Sequence, residues 1–223
     1  MLRSRVLVSI SGLLLALVAW GCSGADDADQ PAAAQGADEQ RLSTSGFQVT
    51  SPNFQESVYP RVRIPKNNTC FGDNLSPRLD WSEQPEGTKS LALIAENVDH
   101  QTGVWVLWVL YNIPAGTTEL PEGISTSTEV LPDGTTQGTN DKSAIGYYGP
   151  CPPPNVQTRS SAYHVELDPP HRYFFRLYAL DAEMDLAPGA SKAQLLSAME
   201  GHILAQANTM GRYQRPLEKE RLG

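Results

Sequence analysis

The stretch VWVLWVLYNI, which occupies residues 104–113, decides the fold. It is almost continuously apolar, and its valines, tryptophans and tyrosine are residue types that favour strands. A short apolar run of this kind is typical of a strand that is covered on both faces. Pro114, Gly116 and Pro121 follow the run and end it. We therefore expect a central strand, with protein packed against both faces of its sheet.

Other segments on either side of this run predict further strands. Residues 58–64 alternate like a half-buried strand, and residues 89–97 (KSLALIAEN) predict a second one. Residues 163–167 and 173–179 are two more candidates, separated by the turn at Asp168-Pro169-Pro170. The intervening residues 115–160 are rich in Gly, Thr, Ser, Asp and Pro, which predicts loops with short strands.

One helix is predicted near the end of the chain. Ser191 can cap it, and Gln194 three residues later completes a capping box. The apolar residues that fall on one face at helical spacing are Leu195, Leu196, Met199, Ile203 and Leu204. Gly201 weakens the helix in its middle. The fold class expected from these elements is mainly β: an antiparallel β-sandwich with a C-terminal helix packed on it.

Length and charge limit the classes of function. The chain has 223 residues, which is enough for one domain and additional segments, and 40% of them are hydrophobic. Its 17 Lys and Arg against 25 Asp and Glu give a formal net charge of −8. No basic cluster is present in the sequence to neutralise phosphates, so we expect no nucleic-acid partner.

The N-terminus has the pattern of an export signal. Arg3 and Arg5 precede an apolar stretch, residues 6–19, that is too short to span a bilayer comfortably. The stretch ends in Ala19-Trp20-Gly21-Cys22, and a small residue directly before Cys resembles the lipobox of bacterial lipoproteins. We expect residues 1–21 to be a signal peptide and Cys22 to carry lipid. The alternative is an ordinary cleaved signal with an incidental Cys.

The remaining chain divides into three segments. Residues 22–45 are rich in Ala, Asp, Gln and Gly and have no aromatic side chain, so they predict a disordered tether. Residues 46–215 form the predicted domain, and residues 216–223 a short tail. The protein is expected to be exported and lipid-anchored to a bacterial membrane, facing the periplasm or the cell exterior.

Seven motifs, in order, resemble one protein family. They are NLSPRLDW (74–81), PEGTKS (85–90), WVLYNIP (108–114), ELP (119–121), GPCPP (149–153), HRY leading into LYALD (171–181) and MEGH (199–202). Together they resemble the phosphatidylethanolamine-binding protein family, especially its bacterial Raf kinase inhibitor-like branch. The resemblance covers about residues 46–215 and implies a sandwich of two antiparallel sheets.

The resemblance also implies a small cavity near one sheet edge that takes anions such as phosphate or a phospholipid head group. In the family it is lined by a D-P-D-x-P segment, by a His before a Trp, by the G-x-C-P-P loop and by the His and Tyr of H-R-Y. The matching residues of this chain are Asn97, Asp99, Leu107, Gly149, Pro150, Cys151, Pro152, Pro153, His171 and Tyr173.

Two of these positions depart from the family pattern. The D-P-D-x-P segment is replaced by Asn97-Val98-Asp99-His100-Gln101, so only the second acid remains. Leu107 stands where the family has His. Asn97 can exchange hydrogen bonds but holds no charge, and Leu107 can do neither. The cavity is therefore expected to bind anions weakly, or to prefer a less charged ligand.

The cysteines indicate a second feature of this region. If Cys22 carries lipid, Cys70 and Cys151 remain, and two such thiols outside the cytoplasm often form a disulfide. The family places both near the cavity. The alternative is two separate buried thiols.

No enzyme motif is present in the sequence. It lacks G-x-S-x-G, H-E-x-x-H, a P-loop and a G-x-G-x-x-G after a strand, so we expect no catalytic residue, metal or cofactor. His164 with Glu166, and His202 near Glu200, are expected to be structural pairs. The leading hypothesis is a non-catalytic binding protein. The alternative is a protein-interaction module or a protease or kinase inhibitor-like regulator.

Overall fold

The fold is built mainly from strands. The computed structural model of the protein describes residues 46–153, 158–160, 164–166 and 169–216. The predicted signal peptide, the tether with Cys22 and residues 217–223 of the tail lie outside the described residues. Within the described part, no helix is long and apolar enough to cross a membrane.

The described elements are twelve strands, one α-helix and a 3-10 turn at Lys66–Asn68. The strands are β1 (Val49–Thr50), β2 (Gln55–Glu56), β3 (Val62–Arg63), β4 (Leu79–Trp81), β5 (Ser90–Asn97), β6 (Trp105–Pro114), β7 (Glu119–Leu120), β8 (Thr136–Gln137), β9 (Thr158–Ser160), β10 (His164–Glu166), β11 (His171–Leu180) and β12 (Ile203–Tyr213). The helix, α1, is Lys192–Met199.

Two sheets carry the domain. The larger has seven strands in the order β2-β3-β12-β11-β5-β6-β8, and the smaller has three in the order β1-β4-β7. All neighbouring strands are antiparallel except β3 and β12, which are parallel. A separate hairpin joins β9 and β10. The prediction of a mainly β, largely antiparallel architecture is confirmed.

Alternation along β5 divides the interior into two apolar layers. Leu91, Leu93 and Ala95 point to one face, where they pack in one cluster with Phe47, Val49, Leu79 and Trp81 of the smaller sheet and its flanks. Ala92 and Ile94 point to the opposite face and pack in a cluster with Leu195 and Met199 of α1. The neighbouring β6 is buried from Val106 to Tyr111, so the prediction of a strand covered on both faces is confirmed. Its place in the sheet is next to the edge strand β8 and not central.

The helix begins as predicted and ends earlier. The Ser191 side chain accepts a hydrogen bond from the Gln194 backbone, and the Gln194 side chain returns one to Ser191, which completes the capping box. The prediction that Ile203 and Leu204 extend its apolar face is wrong, because both belong to β12. Gly201 has a φ of +80°, a left-handed conformation that ends helices and that glycine adopts without steric cost.

His202 has a different partner from the one expected. Its Nδ1 lies 2.8 Å from Asp181 Oδ1 at the end of β11, and not beside Glu200. The helix ends before His202, so the helical spacing that suggested Glu200 does not apply. The pair lies on the exposed surface and joins β11 to the start of β12.

The predicted strand over residues 58–64 is largely wrong. Only Val62–Arg63 is a strand, and residues 57–61 form the tip of the hairpin between β2 and β3. Val58 is fully exposed and Tyr59 is 67% exposed. Pro60 has no N–H to donate to a neighbouring strand, so the apolar alternation here does not report burial in a sheet.

Candidate functional site

A small cavity opens where β5, β6 and β11 meet two loops. Its volume is about 140 Å³. The residues that line it are Asn97, His100, Trp105, Leu107, Lys142, Tyr148, Gly149, Cys151 and Tyr173. The structure thus brings together five of the residues expected from sequence: Asn97, Leu107, Gly149, Cys151 and Tyr173.

The loop that begins at Gly149 forms one wall of the cavity, and it packs against residues 68–75. The Gly149 N–H donates to Asn74 Oδ1 at 2.8 Å. A Cβ on Gly149 would lie 2.5 Å from the Asn68 carbonyl oxygen, which is closer than two such atoms can approach. Only glycine therefore allows the loop to lie this close to the segment beneath it.

A disulfide joins the same two segments. Cys70 and Cys151 are bonded, with their Cα atoms 5.4 Å apart, and they are separated by 81 positions in sequence. The Cys70 N–H also donates to the Pro150 carbonyl at 3.2 Å. Cys151 lines the cavity, and its sulfur accepts a hydrogen bond from the Tyr148 hydroxyl at 3.3 Å. The disulfide is therefore part of the cavity wall.

The floor of the cavity carries a polar group that lacks a partner. Tyr173 is 1% exposed, and among the described residues its hydroxyl has no hydrogen-bond partner. Burial raises the pKa of Tyr173, and the nearby Tyr213 raises it further. The phenol therefore keeps its proton and can act as a donor. Buried hydroxyls are nearly always hydrogen-bonded in proteins, so this one points to a ligand or solvent atom.

Asn97 determines which ring nitrogen of His171 accepts a hydrogen bond. Its Oδ1 accepts the Asp99 backbone N–H at 3.0 Å, which leaves its Nδ2 facing His171 Nδ1 at 3.1 Å. An amide nitrogen can only donate, so Nδ1 of His171 must accept and carries no proton. An aspartate at position 97 would reverse this, because its second oxygen would accept a proton on Nδ1.

The rim of the cavity contains an imidazole, an ammonium group and the rings of a tryptophan and a tyrosine. The His100 ring lies 4.5 Å from the Trp105 ring, between centroids. The Lys142 ammonium lies 5.1 Å from the centre of the Tyr148 ring, in cation–π geometry. Sequence reasoning missed all four as site residues. Their only signal was proximity to the matched motifs, because the loops that carry them meet only in the folded chain.

The other predicted residues lie around the cavity and do not line it. Pro150 and Pro152 are buried within the loop, and Pro153 follows them. His171 is buried behind Asn97 and borders an open groove on the other side, together with Asp99, Arg172 and Arg212. Nη2 of Arg172 donates to Asp99 Oδ1 at 2.7 Å, and the hydrogen bonds from Arg172 lower the pKa of Asp99.

The described residues include no group of three His, Cys, Asp or Glu side chains that could hold a metal ion. The polar groups of the side chains that line the cavity are an amide, two phenols, an indole, an imidazole and an ammonium. Together they can donate hydrogen bonds to a small ligand and offer one permanent positive charge.

Sequence comparison identifies relatives over most of the domain. A family profile described as phosphatidylethanolamine-binding protein matches residues 54–214. A UPF0098 protein of Methanothermobacter thermautotrophicus is 48% identical over 155 residues, covering 70% of this chain and 93% of that protein. A UPF0098 protein of Aquifex aeolicus is 42% identical over 163 residues, covering 73% of this chain and 87% of that protein.

Two solved structures resemble the fold. A putative phosphatidylethanolamine-binding protein homologue from Chlamydia trachomatis has a TM-score of 0.62 and 36% identity, over 77% of this chain and 99% of that one. YbcL of Escherichia coli is described as a new member of the mammalian PEBP family. It has a TM-score of 0.65 and 30% identity, over 77% of this chain and 100% of that one.

Proposed function

Because the chain belongs to the phosphatidylethanolamine-binding protein family, we propose that it is a non-catalytic binding protein whose cavity takes a small phosphate-like or head-group ligand. The observation that carries this proposal is Tyr173, which lines the cavity and whose buried hydroxyl has no partner among the described residues. A ligand oxygen that accepts its proton would satisfy it.

The charges around the cavity favour a weakly bound anion. Lys142 is exposed at the rim and supplies a positive charge that can meet an incoming phosphate. The walls supply none, because Asn97 is neutral and Leu107 is apolar. The same cavity in a chain with charged walls would hold an anion from two sides. Here the cation lies at one side only, so binding is expected to be weak.

Replacing Tyr173 with phenylalanine tests this proposal. The change removes the buried, unpartnered hydroxyl of a tyrosine that lines the cavity. A hydrogen bond to a charged group contributes roughly 1.5–3 kcal/mol, so the affinity for inorganic phosphate should fall at least about tenfold. Since the free protein leaves this hydroxyl unsatisfied, its free energy of unfolding should stay unchanged or rise. Titration calorimetry and thermal melting measure the two effects.

Tyr213→Phe is the matched control. It makes the same chemical change at a second buried hydroxyl that lacks a partner in the described part of the chain and does not line the cavity. Its phosphate affinity should equal that of the parent. Equal affinities for Tyr173→Phe and the parent would contradict the proposal. So would native mass spectrometry that finds a stoichiometric protein partner in place of a small molecule.

We also propose that the protein is exported and anchored to a bacterial membrane through lipid on Cys22. The export signal and the Gly21-Cys22 junction support this, and a Cys70–Cys151 disulfide suits an oxidising compartment. A domain held outside the cytoplasm in this way would meet ligands or lipids of the cell envelope.

Cys22→Ser should move the protein out of the lipid-modified membrane fraction, as an uncut precursor or a soluble form. Intact-mass analysis of the parent should show a mature chain that begins at Cys22 and carries acyl groups. The neighbouring Ser23→Ala is the control and should be processed normally. An unmodified mature N-terminus at another residue would overturn the anchoring proposal.

A further inference from the structure

Three arginines form a row across one end of the seven-stranded sheet. Arg172 of β11 lies directly opposite Arg212 of β12, and Arg212 lies directly opposite Arg63 of β3. Residues in register on neighbouring strands point to the same face, at a strand spacing of about 5 Å. The row therefore presents three guanidinium groups side by side.

Two of the three arginines in this row form no salt bridge with any residue that the structure describes. Arg172 is paired with Asp99, whereas Arg63 and Arg212 have no acidic partner within the described ranges. The whole chain has a formal net charge of −8, so a concentration of positive charge at one edge contrasts with its surroundings. Such a row attracts an anionic surface and orients the protein toward it.

An exposed apolar tip lies beside the row. The hairpin between β2 and β3 forms the edge of the sheet, and at its tip Val58 is fully exposed and Tyr59 is 67% exposed. Arg61 lies between the tip and Arg63. Four residues of extended chain span at most about 14 Å, so Tyr59 and Arg63 can contact one flat surface together. Glu56 is the one acid on this hairpin.

We propose that this basic edge, made of Val58, Tyr59, Arg61, Arg63 and Arg212, docks the domain onto an anionic phospholipid surface. Val58 and Tyr59 would enter the interfacial layer, where tyrosine is favoured because one end of its ring is apolar and the other is polar. The arginines would contact lipid phosphates and keep their apolar stems against the bilayer.

A lipid surface fits this edge better than a protein partner does. The apolar residues project from a hairpin tip and do not line a groove, so a protein would need a concave site shaped to receive them. A bilayer yields to a projecting tip of any shape. The proposal concerns a surface outside the cavity and does not depend on what the cavity binds.

A fluorescent label on the tip tests the proposal. In the full chain with Cys22→Ser, a Val58→Cys substitution provides the reactive thiol, because the other two cysteines form the disulfide. The probe is an environment-sensitive fluorophore on residue 58, mixed with vesicles of phosphatidylcholine alone or with added phosphatidylglycerol. Its emission should shift to the blue only with the anionic vesicles, whatever the N-terminal segment does.

Matched variants separate charge from general adsorption. Each arginine near an anionic surface contributes about 1 kcal/mol, which is about a fivefold change in the ratio of docked to undocked protein. Arg63→Gln with Arg212→Gln should therefore lower that ratio about thirtyfold. Lys89→Gln removes an exposed charge elsewhere and should change nothing. A label at Glu86→Cys, whose loop lies near Leu204 at the opposite end of β12, should show no shift.

Two results would overturn the proposal. The first is emission from residue 58 that is the same with and without anionic vesicles. The second is a blue shift that persists in neutral vesicles or survives the loss of both arginines.

Discussion

Replacing Cys70 and Cys151 with serine is expected to lower the free energy of unfolding by about 4 kcal/mol. The disulfide closes a loop between residues 81 apart, and losing it returns that conformational freedom to the unfolded chain. For a domain of this size the melting temperature should fall by about 10 °C. Cys70 is partly exposed and Cys151 is exposed, so serine at either position leaves no buried cavity.

Reduction of the parent provides an independent measurement of the same effect. Dithiothreitol should lower the melting temperature of the parent to that of the double variant and leave the double variant unchanged. Cys22→Ser is the control for loss of a thiol that takes no part in the bond. Equal melting temperatures for the parent and the double variant would show that the two thiols do not stabilise the domain.

Restoring charge to both cavity walls is expected to strengthen phosphate binding by about ten- to a hundredfold. Asn97 and Leu107 line the same cavity, so Asn97→Asp with Leu107→His places an acid and an imidazole in its walls. The aspartate would favour the charged imidazole, which then donates to phosphate with a contribution of roughly 1.5–3 kcal/mol.

The two single substitutions should behave quite differently from the pair. Asn97→Asp alone adds a negative charge to the wall and should weaken phosphate binding. Leu107→His alone puts a neutral imidazole in a buried position and should change affinity little. The gain in phosphate-binding free energy from the double substitution should therefore exceed the sum of the two single effects. Titration calorimetry of the parent, both single variants and the double variant measures this coupling.

Leu107→Met is the control, because it keeps an apolar side chain of similar volume at the same position. Its affinity for phosphate should match that of the parent. Tight phosphate binding by the parent would contradict the expectation that its neutral walls weaken the site. Strictly additive effects of the two substitutions would show that these side chains do not act on one ligand together.

The elements with strong local signals could be predicted from sequence. The apolar run of β6 and the Ser191–Gln194 capping box are local patterns, and both appear where expected. β12 could not be predicted, because its buried face carries small residues, among them Ala205, Ala207 and Gly211. Alanine and glycine do not favour strands, so only the pairing with β11 and β3 makes this segment extended.

Some residues of the candidate site could be predicted from sequence, and others could not. Tyr173, Gly149 and Cys151 lie in motifs whose order along the chain indicated a shared location, and they do line one cavity. His171 carries the same kind of signal and yet lies behind Asn97, to which its ring is hydrogen-bonded. The rim residues His100 and Lys142 come from loops that the sequence alone does not bring together.

The position of β12 in the sheet affects the time at which the domain can form during synthesis. β12 is the last described strand to be made, and it lies in the interior of the sheet between β3 and β11. Until Ile203–Tyr213 has left the ribosome, β3 and β11 each present an unpaired edge that can join another chain. A nascent chain that stops before Ile203 is therefore open and prone to aggregate, and the sheet closes only when almost the whole domain has been translated.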